Sequence, residues 1–195
     1  MLFGGFSPGG LEIRQDGDGS RRLRGRFPYG RRTVLGEGKR VTMEEQFAAR
    51  AFAPRVNVTG EDIHLLFGHD FSRPLASRAT GTLEIRDNDD ALTFDAVITS
   101  QIATTTHGRD ALALMDSGLA AGLSPGFTVP DDPGAESVVR EPRALIRTIR
   151  AARLWELSVV TRPAYPEGTV TARNWRPTSE RADAGLQRML TRWRA

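Results

Sequence analysis

The chain of 195 residues contains no cysteine, and this absence excludes both disulfides and thiolate metal sites. Lysine is nearly absent as well, because Lys39 is the only lysine among 27 basic residues. We attribute the resulting arginine bias to a GC-rich genome, since no known nucleic-acid-binding motif accompanies the net charge of +3. Nucleic acid is therefore not an expected partner.

Long apolar runs are also missing, since no run reaches the ~20 residues that a membrane-spanning helix needs. The first ten residues, MLFGGFSPGG, lack the basic segment that opens a secretory signal. We therefore expect a soluble intracellular protein without a membrane partner. A length of 195 residues fits a single domain with a sizeable core.

Alternating hydrophobicity is the commonest pattern along the chain, and it is clearest over residues 81–99, GTLEIRDNDDALTFDAVIT, which predict a β-hairpin. Thr42 and Glu45 form a capping-box pattern that predicts a helix over residues 43–52. A second helix is predicted within residues 104–122, with Leu112, Met115 and Leu119 on one face. Many strands, few helices and no βαβ alternation predict a single α+β domain around an antiparallel sheet or barrel.

The chain becomes polar and basic from about Arg173, with six arginines against only Glu180 and Asp183. We therefore place the domain at residues 1–172 and a basic C-terminal tail at residues 173–195. A docking segment and an ordinary frayed terminus are both compatible with this composition.

Ser124 lies in the string GLSPG, residues 122–126, which fits the nucleophile-elbow pattern G-x-S-x-G of α/β-hydrolases. That class is excluded, because every histidine precedes Ser124, whereas those enzymes place the histidine after the serine. Pro125 also lacks the backbone N–H that the elbow uses for an oxyanion. The alternatives that remain for Ser124 are a turn serine and a nucleophile of another class.

The three histidines are His64, His69 and His107. His64 and His69 could bind a metal only with further ligands, and no tight cluster of ligands supports such a site. Asp70 follows His69 directly, and on an extended chain its side chain would point away from the imidazole. His107 is expected at a helix start, in a structural role.

Glu156 is an acid inside RLWELSVV, a segment that otherwise predicts a core strand. Period-2 spacing places Leu154, Glu156, Ser158 and Val160 on one face of that strand. A carboxylate in a half-buried strand needs a partner. Both a salt bridge to a nearby arginine such as Arg153 and an interaction that orients and charges a histidine are open at this point.

Three blocks occur in order over residues 61–170, namely LLFGHD, GLAAGLSPGF and LWELSVVTRPAYP. Together they resemble the prohead (capsid-maturation) proteases of tailed phages, a family also carried by gene transfer agents. Members share a fold with the herpesvirus assembly proteases. The resemblance therefore implies a single α+β domain, mainly a closed or nearly closed antiparallel β-barrel flanked by helices.

The resemblance also implies a serine endopeptidase with His69 as general base and Ser124 as nucleophile. Glu156 is the best match for the third member, ahead of Asp70 and Asp110. The helix dipole already accounts for an acid at Asp110, in the first turn of a predicted helix. Arg162 stands in the place that the herpesvirus relatives use near the oxyanion. No metal or other cofactor is implied.

The implied substrate is the scaffolding segment of the major capsid protein, or a separate scaffold protein, inside the procapsid in the host cytoplasm. Self-association into a homo-oligomer is left open. The alternative is a protein of the same fold that binds scaffold or DNA inside the capsid without cleaving it. The presence of a histidine, a serine and an acid together favours the protease.

Overall fold

The computed structural model describes residues 12–37 and 41–161, of which 50% lie in strands and 14% in helices, so the domain is mostly β. The strands are β1 (Glu12–Gln15), β2 (Arg21–Pro28), β3 (Thr33–Glu37), β4 (Thr42–Phe47), β5 (His64–Phe67), β6 (Asp70–Ser77), β7 (Leu83–Asp87), β8 (Ala91–Ile98), β9 (Gly122–Thr128), β10 (Glu136–Arg140), β11 (Ala144–Ile149) and β12 (Arg153–Val160). The helices are α1 (Ala53–Val56), α2 (Ser100–Thr104) and α3 (Thr106–Asp116).

The strands form three four-stranded sheets, in the orders β1-β2-β8-β7, β10-β11-β4-β3 and β6-β5-β12-β9. Most neighbours are antiparallel, but β11 pairs with β4 and β12 pairs with β5 in parallel. Within the described residues no sheet closes on itself, and two of the three helices are a single turn or little more. The expected barrel flanked by helices is therefore wrong.

One hydrophobic core joins the three sheets, which makes the described part of the chain a single domain. The core includes Leu23 of the first sheet, Phe47 of the second and Leu157 of the third. Aromatic rings fill the junction, with the ring centroid of Phe47 lying 5.0 Å from those of both Phe52 and Phe127. Burial of such large apolar side chains contributes roughly 1.5–3 kcal/mol each.

The helix predicted over residues 43–52 is also wrong, because the first half of that segment belongs to strand β4 and the rest is turn. The backbone groups of β4 are hydrogen-bonded to β11 in a parallel pairing. The Thr42 hydroxyl donates to Glu44 and to the Arg143 carbonyl, so it does not cap a helix. Glu45 is buried and bonds to Arg147 at 2.8 Å. Burial raises the pKa of Glu45, and the guanidinium of Arg147 opposes that rise.

The hairpin predicted over residues 81–99 is confirmed, with β7 and β8 antiparallel and Ile85 opposite Phe94. Helix α3 confirms the second predicted helix, begins after the cap Thr105 and buries Leu112 and Met115. Leu119 follows the helix and is 63% exposed, so its predicted place on the buried face is wrong.

Each helix in the described part of the chain falls short of the length and apolar character that a membrane span requires. The domain boundary at residue 172, the basic tail at residues 173–195 and the site residue Arg162 lie outside the described residues.

Candidate active site

Strand β12 forms the centre of the site because it lies between β5 and β9 in the third sheet. Its pairing with β5 is parallel, with Val159 opposite Phe67, and its pairing with β9 is antiparallel, with Ser158 opposite Ser124. The end of β5 and the middle of β9 therefore flank the same stretch of β12. β5 and β9, which are far apart in sequence, thus lie on either side of β12.

His69 lies in the two-residue turn that joins β5 to β6. Gly68 has φ +70° and His69 has φ +61°, and this pair of positive values is the signature of a type I′ hairpin turn. The His69 backbone N–H donates to Ser158 Oγ at 2.9 Å, which ties the turn to β12. His69 is therefore not extended, contrary to the geometry assumed from the sequence.

Glu156 reaches the imidazole directly. Its Oε1 lies 2.7 Å from His69 Nδ1, and its side chain is 2% exposed against 35% for that of His69. The other oxygen, Oε2, accepts a 2.6 Å hydrogen bond from Ser158 Oγ. Both carboxylate oxygens are thus engaged by the histidine and the serine, and the salt bridge to Arg153 that the sequence left open is not formed.

The face of β12 that carries Glu156 differs from the simple period-2 expectation at one point. Leu154 is opposite Phe127 and Glu156 is opposite Gly126, so Trp155 is an extra residue in a β-bulge. Leu154 consequently packs in the core with Leu157 instead of sharing a face with Glu156. The predicted alternation holds from Glu156 to Ser158, the part that forms the site.

Ser124 lies inside strand β9, not in a turn, so the turn-serine interpretation is wrong. It is 4% exposed and is the cross-strand partner of Ser158, and such partners place their Cβ atoms about 5 Å apart on one face. The Ser124 hydroxyl has no hydrogen-bond partner among the described residues. Hydrogen bonds of catalytic serines often tighten only when substrate binds.

Gly126 leaves the space that the Glu156 carboxylate occupies. A Cβ added at Gly126 would overlap Glu156 Oε1, so no other residue fits there without displacing the carboxylate. This face of β9 therefore points at the carboxylate, and Ser124, two residues earlier, projects from the same face. The second glycine of GLSPG thus serves the acid rather than a nucleophile elbow.

The two other acids considered for the site lie elsewhere. Asp70 accepts hydrogen bonds from the hydroxyl and backbone N–H of Ser72 and pairs with Arg73 at 3.2 Å. The hydrogen bond from the Ser72 hydroxyl is the main reason why the pKa of Asp70 lies below its usual value. Asp110 is exposed on α3.

The remaining histidines have structural contacts. His64 Nε2 lies 3.4 Å from Asp62, and His107 Nε2 lies 3.0 Å from the Pro74 carbonyl oxygen. Among the described residues there is no group of three or more histidines and acids that could hold a metal ion.

Ser158 is the site residue that the sequence did not single out, although it was placed on the face of Glu156. A small polar residue two positions after a buried acid, on the same strand face, was the available signal.

A buried carboxylate bonded to an imidazole is the acid–histidine half of the Ser-His-acid arrangement that serine hydrolases use. The family model described as caudovirus prohead serine protease matches residues 28–181, and the chain belongs to that family. The prohead-protease resemblance of the three sequence blocks is thereby confirmed. No curated protein and no solved structure gave a significant match.

Proposed function

We propose that this protein is a serine endopeptidase that cleaves the scaffolding segment of the major capsid protein, or a separate scaffold protein, inside the procapsid in the host cytoplasm. The observation that carries the proposal is the 2.7 Å hydrogen bond between His69 Nδ1 and the buried carboxylate of Glu156. Family membership supports capsid maturation as the setting.

His69 is the proposed general base and Ser124 the proposed nucleophile. An ionised Glu156 accepts from Nδ1–H, which leaves the lone pair of His69 on Nε2. Within the described residues Nε2 makes no hydrogen bond, so it is available to take the Ser124 proton as Oγ attacks the peptide carbonyl. The imidazolium then protonates the leaving amine, and water hydrolyses the acyl-enzyme.

Glu156 is the proposed third member, because a carboxylate stabilises the imidazolium that forms during proton transfer. The oxyanion cannot be held by the residue after the nucleophile, because Pro125 has no N–H. We assign that role to backbone near Arg162, which follows the end of β12 in sequence. The reaction needs no metal or other cofactor.

Co-expression of the full-length chain with the neighbouring capsid gene tests the proposal. The wild type is expected to produce a shorter capsid or scaffold band. Ser124→Ala and His69→Ala should leave the substrate full-length, and the double variant should be no worse than either single one, because triad members act as a unit. Ser77→Ala, which removes another buried hydroxyl from the same sheet, should cleave normally.

Two results would contradict the proposal. Unchanged processing by folded Ser124→Ala protein would exclude Ser124 as the nucleophile. A folded wild-type chain that binds the substrate and leaves it intact would favour the alternative, an assembly protein that binds scaffold without cleaving it.

A further inference from the structure

Ser158 is the most enclosed polar residue of the site, with 0% of its surface exposed. Its hydroxyl has one proton and two lone pairs to offer. The proton goes to Glu156 Oε2 at 2.6 Å, and a lone pair accepts the His69 backbone N–H at 2.9 Å. One hydroxyl therefore bonds both to the acid and to the main chain that carries the imidazole.

These two contacts fix the orientation of the Glu156 carboxylate and the conformation of the His69 turn, respectively. The bond to Oε2 sets the rotation of the carboxylate, so that Oε1 faces His69 Nδ1. The bond from the backbone N–H holds the His69 turn in its left-handed conformation, which a residue other than glycine adopts only at a cost. Without the hydroxyl, a buried carboxylate oxygen and a backbone N–H would both lose their partner.

We infer that Ser158 is a positioning residue for the reaction, which holds the Glu156 carboxylate and the His69 turn in register while Ser124 is activated. The inference rests on the proposed function of His69, Glu156 and Ser124, and it adds a role that the Ser-His-acid chemistry itself does not require. Ser158 also neighbours Ser124 across the β9–β12 ladder, so it contacts or adjoins all three groups.

The test uses a fluorophosphonate probe on the purified full-length chain, so that it does not depend on knowing the protein substrate. Ser124 Oγ attacks phosphorus, the P–F bond breaks, fluoride leaves and the hydroxyl proton passes to His69. The maximal labelling rate reports activation of Ser124, and the half-saturating probe concentration reports binding.

Ser158→Ala is expected to lower the maximal labelling rate by about 10²-fold, the loss typical of a misplaced catalytic group, with half-saturation nearly unchanged. Ser158→Thr keeps the hydroxyl and should restore most of the rate. Ser158→Ala combined with Glu156→Gln should be no slower than Glu156→Gln alone, because the serine acts through the acid. Ser77→Ala is the matched control and should label at the wild-type rate.

Three results would overturn the inference: a Ser158→Ala rate within about threefold of wild type, rate losses that multiply in the double variant, or unfolding of Ser158→Ala, which would assign Ser158 to the core. Failure of the proposed function gives a different result. A wild-type chain that labels at Ser124 but leaves capsid and scaffold proteins intact refutes the substrate while leaving the role of Ser158 testable.

Discussion

At the scale of single residues, the environment of Glu156 decides how the site is interpreted. A carboxylate that is 2% exposed is costly unless its oxygens are bonded, and breaking a buried charged pair costs about 3–5 kcal/mol. The two carboxylate oxygens of Glu156 are hydrogen-bonded to the neutral hydroxyl of Ser158 and to the imidazole of His69, and not to an arginine. An imidazole can gain a positive charge during a reaction, so the acid is best placed to act when His69 takes a proton.

Glu156→Gln is therefore expected to fold but to lose about 10³- to 10⁴-fold of its cleavage rate, because a neutral amide cannot stabilise the imidazolium. The loss should be smaller than for Ser124→Ala, since nucleophile and base both remain. The rate of capsid processing measures the loss of activity, and thermal unfolding of the same variant checks that it folds. Glu84→Gln, on an exposed acid paired with Arg86, is the control. A Glu156→Gln rate close to wild type would return the acid to a structural role.

At the scale of elements, the β5–β6 hairpin places the histidine. Its turn needs two left-handed residues, and the sequence supplies a glycine for only one of them. His69 in this conformation costs about 1–2 kcal/mol, a strain that the hydrogen bond from its backbone N–H to Ser158 helps to offset. The imidazole is thereby directed back over β12 instead of along the strand.

Comparison of His69→Gly with His69→Ala separates this strain from the chemistry. Neither variant should cleave, but the glycine variant should be more stable by about 1 kcal/mol, because glycine adopts positive φ freely. Urea denaturation measures the difference. At Asp70, whose φ is not positive, the same pair of substitutions should reverse the order, with alanine the more stable. Equal stabilities at His69 would show that the turn relaxes when the imidazole is removed.

At the scale of the whole molecule, the three sheets share one core whose members run from Leu23 to Val159. The catalytic candidates His69, Ser124 and Glu156 all lie between these two residues in the sequence. We propose that residues 173–195, with their excess of arginine, form a docking or self-processing segment outside this core.

A chain that ends at Asn174 is therefore expected to stay folded, with a melting temperature close to that of the full chain, and to keep its reaction with a fluorophosphonate at Ser124. Cleavage of capsid or scaffold protein should fall if the removed residues dock the protease. Loss of cooperative unfolding in the shortened chain would show that the tail belongs to the core.

The local elements of this protein are predictable from its amino-acid sequence. The hairpin over residues 81–99 follows from period-2 alternation, and the burial of Glu156 follows from the apolar segment around it. Both patterns are properties of neighbouring residues. Three short blocks in order were enough to indicate the family, because their spacing and residue types are jointly specific.

Which segments pair with one another depends on contacts between residues that are far apart in the chain. Residues 42–47 carry a capping pattern, yet they form a strand because β11, about a hundred residues later, offers parallel backbone partners and an arginine for Glu45. The bulge at Trp155 and the bonds of Ser158 likewise depend on neighbours from β9 and from the β5–β6 turn. Hydrogen bonds between distant strands outweigh local propensity, since each strand backbone must be satisfied by whichever segment packs beside it.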